Sequence, residues 1–135
     1  MATPAKDRNI PPPAISPENE PFFASCKKGV LLVKECRACA KLHYYPRAFC
    51  PSCFSDDVEW RAASGRGTIY SYSVTRLGVP EPFAIAYVTL EEGVRMMTNI
   101  VDCDLDGLKI GMDVRLTFKA ASDGTPLPMF TPAVP

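Results

Sequence analysis

The sequence predicts a mainly β protein with an N-terminal helix, a four-cysteine zinc ribbon and a small five-stranded barrel. Two observations carry this prediction. Two Cys-x-x-Cys pairs, Cys36 with Cys39 and Cys50 with Cys53, are separated by ten residues. After the second pair, short apolar or alternating runs are divided by turn residues, which is typical of an all-β fold.

Length and charge limit the remaining possibilities. A chain of 135 residues holds one ordinary domain, or a small domain with a metal-stabilised appendage. Its 15 basic and 15 acidic residues give a formal net charge of zero. Proteins that bind the nucleic-acid backbone depend on clustered Lys and Arg, so no nucleic-acid partner is expected.

Residues 1–16 are rich in proline and are expected to form a disordered or extended tail. They contain no apolar segment of the kind found in signal peptides. The longest apolar run in the rest of the chain covers residues 83–88, which is too short to span a membrane. We therefore expect a cytoplasmic location without a membrane partner.

Residues 17–29 are predicted to form the N-terminal helix. Asn19 suits the N-cap, and Gly29 suits the position just after the C-terminus. Phe22 and Phe23 lie on the predicted buried face. Two interpretations remain open for these phenylalanines, which either pack against the rest of this chain or dock into another protein.

Residues 30–56 are predicted to form the zinc ribbon. Two facing Cys-x-x-Cys turns supply four thiolates in the tetrahedral arrangement that Zn²⁺ favours. Four protein ligands leave no position for water, so we expect one structural zinc ion and no metal-assisted hydrolysis. The alternatives are two disulfides, a redox-active dithiol, or an iron site in an electron carrier.

Residues 57–135 are predicted to form the barrel. In the run 68–76, Tyr70, Tyr72 and Val74 are expected to share one face because side chains alternate along a strand. Five strands with one half-open stretch suit an OB-fold barrel. The predicted strands cover residues 58–63, 68–76, 83–90, 94–101 and 114–118.

These motifs, in this order, resemble a known family. After the helix and the Cys-x-x-Cys ribbon come Trp60, the glycine-containing turn and aromatic strand of residues 64–72, Tyr87-Val88, and residues 111–114. The combination resembles the zinc-ribbon OB-fold proteins, with a rubredoxin-like ribbon, that accompany thiolase-like lipid-transfer proteins. The resemblance covers about residues 17–133, and the turn Gly65-Arg66-Gly67-Thr68 is its most specific part.

The resemblance implies a non-catalytic accessory subunit. Such a subunit binds a thiolase-like enzyme as a hetero-oligomer and helps to bind acyl-CoA for condensation, thiolysis or retro-aldol cleavage. The residues agree on one point, since no catalytic set can be assembled from them. His43 is the only histidine and lies between the two cysteine pairs, and Cys103 lies between two aspartates that disfavour its thiolate.

The loop 77–82 is the predicted site of acyl-CoA contact. Arg76 precedes this loop and is expected to meet a CoA phosphate, while Phe83 follows it and is expected to line the acyl path. In the same hypothesis Phe22 and Phe23 hold the thiolase-like partner. The alternative is that Phe83 belongs to the barrel core and Arg76 is merely solvated.

Two other functions remain open at this point. One is a single-stranded nucleic-acid-binding OB module, in which aromatic residues such as Tyr70 and Tyr87 stack on bases. The other is a redox or zinc-storage ribbon. Neutral charge disfavours the first, and the presence of two cysteine pairs, where a redox dithiol needs one, disfavours the second.

Overall fold

A computed structural model describes residues 3–133 of the chain. The outer ends of the predicted tail and barrel, at residues 1 and 135, lie outside this range. The structure contains a short helix, a three-stranded sheet and a closed five-stranded barrel, which confirms the predicted fold class. The elements are α1 Glu20–Cys26, β1 Leu32–Cys36, β2 Leu42–His43, β3 Val58–Ala62, β4 Arg66–Thr75, β5 Phe83–Leu90, β6 Arg95–Ile100, a 3₁₀ turn Leu105–Gly107, β7 Asp113–Ala120 and β8 Pro126–Pro132.

The three-stranded sheet has the order β2-β1-β3 and forms the ribbon. β3 was predicted as the first barrel strand, and this assignment is wrong. β3 pairs antiparallel with β1 along its whole length, from Val58 opposite Cys36 to Ala62 opposite Leu32. Because the partner of a strand is set by long-range contacts, a strand pattern alone could not assign it to the ribbon, which therefore extends beyond residue 56.

The barrel has the order β4-β5-β6-β8-β7, and its fifth strand, β8, was not predicted. Pro126, Pro128 and Pro132 argue against a central strand because they lack the N–H donor. Each of these prolines is an even number of residues from Phe130, so its backbone points to the same side of the strand as that of Phe130. The Phe130 carbonyl faces β6 and accepts a 2.9 Å hydrogen bond from Val101 N–H. The missing donors therefore face β6, with which β8 pairs at Phe130 alone, and pairing with β7 is intact.

Strand β4 contains a β-bulge that changes which side chains share a face. The register with β5 shifts between Ile69 and Ser71, which leaves Tyr70 as the extra residue. Tyr72 opposes the inward-facing Ala86, whereas Tyr70 is on the outside. The prediction that Tyr70 and Tyr72 share one face is therefore wrong.

Helix α1 is shorter than the predicted 17–29. Asn19 stands at its N-cap, and Gly29 at φ +78° allows the chain to turn after the last helical turn. Phe22 and Phe23 are 1% and 5% exposed, and both belong to a core that also contains residues of β1 and of the barrel. Of the two interpretations of these phenylalanines, docking into another protein is contradicted, because their side chains are occupied inside this chain.

The proline-rich tail follows an extended course along the barrel. Thr3 and Ala5 exchange backbone hydrogen bonds with Leu105 and Cys103 at 2.8 and 2.9 Å, and Ile10 O accepts from Ser122 N–H at 2.8 Å. These backbone hydrogen bonds hold the tail against the barrel, so its side chains form part of the surface there. Within residues 3–133, no helix is both long enough and apolar enough to cross a bilayer.

Candidate functional site

The four predicted zinc ligands converge at one end of the ribbon sheet. The Sγ atoms of Cys36, Cys39, Cys50 and Cys53 all lie within 4.8 Å of one another. Cys36 and Cys53 are 3.6 Å apart at sulfur, and Cys39 and Cys50 are 3.7 Å apart. A tetrahedron with Zn–S bonds of about 2.3 Å has edges of about 3.8 Å, whereas a disulfide needs about 2.05 Å. The arrangement fits one structural Zn²⁺ ion and excludes the disulfide alternative for these four residues.

Local backbone geometry shapes each cysteine pair into a tight turn. Ala40 N–H donates to Cys36 O, and Phe54 N–H donates to Cys50 O, both at 2.8 Å. Ala40 and Phe54 have φ of +63° and +62°, so the residue after each pair is in the left-handed region. This conformation turns the chain back and directs both sulfurs of a pair toward the same point.

The electrostatics of the cluster require a cation. Backbone N–H groups of Cys53 and Ser52 that point at the Cys50 sulfur lower the pKa of that thiol to about 6. The pKa of the Cys53 thiol is raised to about 12, because the Ser55 N–H lowers it less than the neighbouring sulfurs and burial together raise it. Four adjacent thiolates therefore repel one another, and a divalent cation reverses that penalty.

The residues predicted to contact acyl-CoA lie together, but Arg76 is already paired. Its guanidinium forms a 2.8 Å ion pair with Asp106 and a 3.0 Å hydrogen bond to Thr3 Oγ1. Thr75, the residue before Arg76, is the cross-strand neighbour of Phe83, so the two predicted residues are adjacent. Arg76 is neither free nor merely solvated, because it ties the tail to the 3₁₀ turn.

Phe83 is half-buried and lies beneath a different arginine. The Arg8 guanidinium carbon stands 4.0 Å from the centre of the Phe83 ring, which is a cation–π contact. A groove of about 390 Å³ runs past Phe83 between the tail and the loop after β4. Arg8 was missed because it belongs to a segment without sequence periodicity, and only tertiary contact brings it here.

The three other candidate reactive groups are buried or poorly activated. His43 is buried with no hydrogen-bond partner at either ring nitrogen, and burial, then Lys34 and Arg47, lower its pKa. Burial raises the pKa of the Cys26 thiol to about 11. Burial, then the adjacent aspartates, also raise the pKa of the Cys103 thiol. His43 therefore does not act on a cysteine in this structure, and neither thiol is activated as a nucleophile.

Comparison with known proteins matches both units of the structure. Residues 23–59 match the family model "ChsH2, rubredoxin-like zinc ribbon domain", and residues 60–119 match "ChsH2, C-terminal OB-fold domain". A solved structure described as "Ltp2-ChsH2(DUF35) aldolase" superposes with a TM-score of 0.78 at 37% identity, covering 91% of this chain and all of that chain.

Several curated relatives are named as subunits of enzymes. A probable enoyl-CoA hydratase alpha subunit of Thermomonospora curvata is 38% identical over 129 residues, which are 93% of this chain and 40% of the relative. The benzoylsuccinyl-CoA thiolase subunit BbsA of Geobacter metallireducens is 29% identical over 85 residues, or 61% of this chain and 57% of BbsA. The chain thus spans less than half of the first relative and just over half of the second.

Proposed function

This chain belongs to the ChsH2 (DUF35) family of zinc-ribbon and OB-fold proteins, and on that premise we propose that it is a non-catalytic accessory subunit. Its partner is a thiolase-like enzyme, and the assembly acts on acyl-CoA by condensation, thiolysis or retro-aldol cleavage. The observation that carries the proposal is that similar proteins are named for a hydratase, a thiolase and an aldolase, two of them expressly as subunits. A small fold that recurs in proteins named for three different reactions is expected of a subunit that supports the chemistry of its partner.

The geometry of the candidate reactive groups supports a non-catalytic role. A nucleophile needs an adjacent base that is itself oriented by a third group. The ring nitrogens of His43 have no partner, and the thiols of Cys26 and Cys103 have raised pKa values. The four remaining cysteines form a closed set of metal ligands, and zinc bound there supplies folding free energy and no open coordination site.

For acyl-CoA, we propose contact along the groove that passes Phe83. The ring offers an apolar wall for the pantetheine or acyl chain, and Arg8 and Arg76 are the cations nearest to it along the strands and the tail. Arg76 is half-exposed and bound to Asp106, so it reaches a phosphate only by exchanging that carboxylate for it. Arg8 is better placed for a phosphate, because the contact that the structure describes for it is with an aromatic ring and no ion pair has to be exchanged.

The test is reconstitution with a thiolase-like protein of the same organism. We expect the zinc-loaded chain alone to show no acyl-CoA turnover, the two proteins to co-elute, and the complex to convert its substrate. Turnover by the chain alone, or two separate proteins under all conditions, would contradict the proposal.

The ligand contact is tested separately with Phe83→Ala. Loss of the ring should weaken binding of an acyl-CoA to the complex about tenfold, a typical cost of one well-packed contact. The matched control is Ile110→Ala, which removes an apolar side chain that is 71% exposed and lies outside the groove. Equal affinities for the two variants would place the acyl-CoA site elsewhere.

A further inference from the structure

The outer surface of three neighbouring barrel strands carries an exposed apolar patch. We call the outward-facing positions of β4, β5 and β6 the outer face. Tyr87 lies opposite Ser71 on one side and Met97 on the other, so these side chains share that face. Tyr70, Ile85, Tyr87 and Met97 are 52%, 40%, 47% and 57% exposed.

The outer face has positive charge and no acidic residue. Its outward positions are Arg66, Thr68, Tyr70, Ser71, Ser73, Thr75, Phe83, Ile85, Tyr87, Thr89, Arg95, Met97 and Asn99, and Arg66 at one end is ion-paired with Glu91 of the adjoining turn. The Arg95 guanidinium carbon lies 3.9 Å from the centre of the Tyr70 ring, and Arg8 covers Phe83 at the other end. Among residues 3–133, neither arginine has a carboxylate within ion-pair distance.

The centre of the outer face has the composition of an interface core, while its β4 side is rich in Ser and Thr. Buried interface cores are enriched in Tyr, Met and Arg and depleted in Lys, Glu and Asp. Three strands about 4.8 Å apart and six residue steps of about 3.3 Å give a patch of roughly 300 Å². Exposed apolar patches of a few hundred Å² on soluble proteins are commonly binding sites.

We propose that the outer face docks the thiolase-like subunit through a surface that is apolar at its centre and carries a carboxylate facing Arg95. This inference rests on the proposed function and names the surface through which it operates. The Arg95 guanidinium already lies over the Tyr70 ring, so little side-chain freedom is lost when a carboxylate pairs with it. The depression of about 290 Å³ beside Phe83, Ile85 and Met97 can receive an apolar side chain of the partner.

Two other occupants fit the outer face less well. A twofold contact between two copies places the same patch on both partners, which would bring arginines together without a carboxylate. A nucleic-acid strand would match the aromatic rings, but the face has no lysine and the whole chain has zero net charge.

The test uses the zinc-loaded full chain and the partner from the reconstitution. Tyr87→Ser and Arg95→Glu are each expected to raise the Kd of the complex at least about tenfold. The control Ile110→Ser removes an exposed apolar side chain away from the outer face and should leave Kd unchanged. Far-UV circular dichroism and a thermal melt verify that each variant is folded.

Methionine oxidation supplies a readout that does not depend on variants. Met97 is exposed on the outer face, while its neighbour Met96 is buried inside the barrel. Peroxide should oxidise Met97 readily in the free chain and at least about tenfold more slowly in the complex, with Met96 resistant in both. Mass spectrometry of the digested chain gives both rates.

The outcomes separate the two proposals. If the wild-type chain forms the complex but Met97 oxidises at the same rate and both variants bind normally, docking at the outer face is wrong while the proposed function stands. If the wild-type chain does not bind the enzyme, both proposals fail. A face-dependent dimer in light scattering, or retention of a single-stranded oligonucleotide that Arg95→Glu abolishes, would also overturn the assignment.

Discussion

Gly67→Ala is expected to destabilise the barrel at the seam where it closes. Gly67 lies in β4 and faces Leu90 of β5 and Val114 of β7. A Cβ atom on Gly67 would lie 2.7 Å from the carbonyl oxygen of Thr89 and 2.7 Å from Cγ1 of Val88. The Val88 methyl group can rotate, but the Thr89 oxygen is part of the β5 backbone and moves only if the strands separate.

The magnitude follows from two opposing terms. Overpacking a closely packed site costs about 1–3 kcal/mol. Replacing glycine with alanine also restricts the unfolded chain, which returns about 0.4–1 kcal/mol. The clash lies between β4 and β5 at the end of their ladder, where Gly67 opposite Leu90 is the last pair, so the strands can separate there at limited cost. We expect the free energy of unfolding to fall by about 1–2 kcal/mol.

Gly107→Ala is the matched control. Gly107 ends the 3₁₀ turn, and an added Cβ there would meet no heavy atom within 4 Å. The control should therefore equal or slightly exceed the wild-type stability. Urea unfolding of the zinc-loaded proteins, followed by far-UV circular dichroism, measures all three free energies, and a Gly67→Ala variant as stable as Gly107→Ala would refute the reasoning.

Three further predictions concern the ribbon and the free thiols. Cys39→Ser or Cys53→Ser should lose zinc by elemental analysis and unfold the ribbon, since so small a sheet has little core of its own; full zinc content would contradict the ligand set. Phe54→Gly should raise the free energy of unfolding by about 1 kcal/mol, because Phe54 is 77% exposed at φ +62°, while a lower melting temperature would show that its ring stabilises the fold. Cys26 should stay unmodified by iodoacetamide at about pH 8 until the chain unfolds, because its thiol is buried with a pKa of about 11; mass spectrometry tests this, and early labelling would disprove it.

The ribbon and its ligands could be predicted because their signal is local. Each Cys-x-x-Cys turn is defined within a few residues, and the positive φ after each pair follows from the same short segment. The helix cap at Asn19 and its end before Gly29 are local for the same reason. The sheets to which β3 and β8 belong could not be predicted from local sequence, because both strands pair with partners far away in the chain. The prolines of β8 also argued against a strand, although their missing N–H donors face away from its main partner, β7.

The contacts of the candidate site depended on tertiary structure. Phe22 and Phe23 were expected either to pack within this chain or to dock into another protein, and the core formed by α1, the ribbon and the barrel buries both. Arg76 was expected to be available, and Asp106 and Thr3 occupy it. The acidic 3₁₀ turn and the tail are distant in sequence, so no spacing rule could bring them to that guanidinium.

The bulge at Tyr70 links the limits of sequence alternation to the proposed docking surface. Ile69 opposes Val88 and Ser71 opposes Tyr87, so consecutive β5 residues face β4 residues two apart, and Tyr70 has no partner. Without the extra residue, strict alternation would keep the outer face of β4 to Arg66 and hydroxyl side chains. With it, an aromatic ring is added beside Arg95 on the outside, while Tyr72 stays at the barrel end and donates to Leu108 O at 2.8 Å. One inserted residue therefore gives the outer face its Arg95–Tyr70 stack without disturbing the inward pairs, and alternation rules could not have found it because the bulge breaks the period on which they depend.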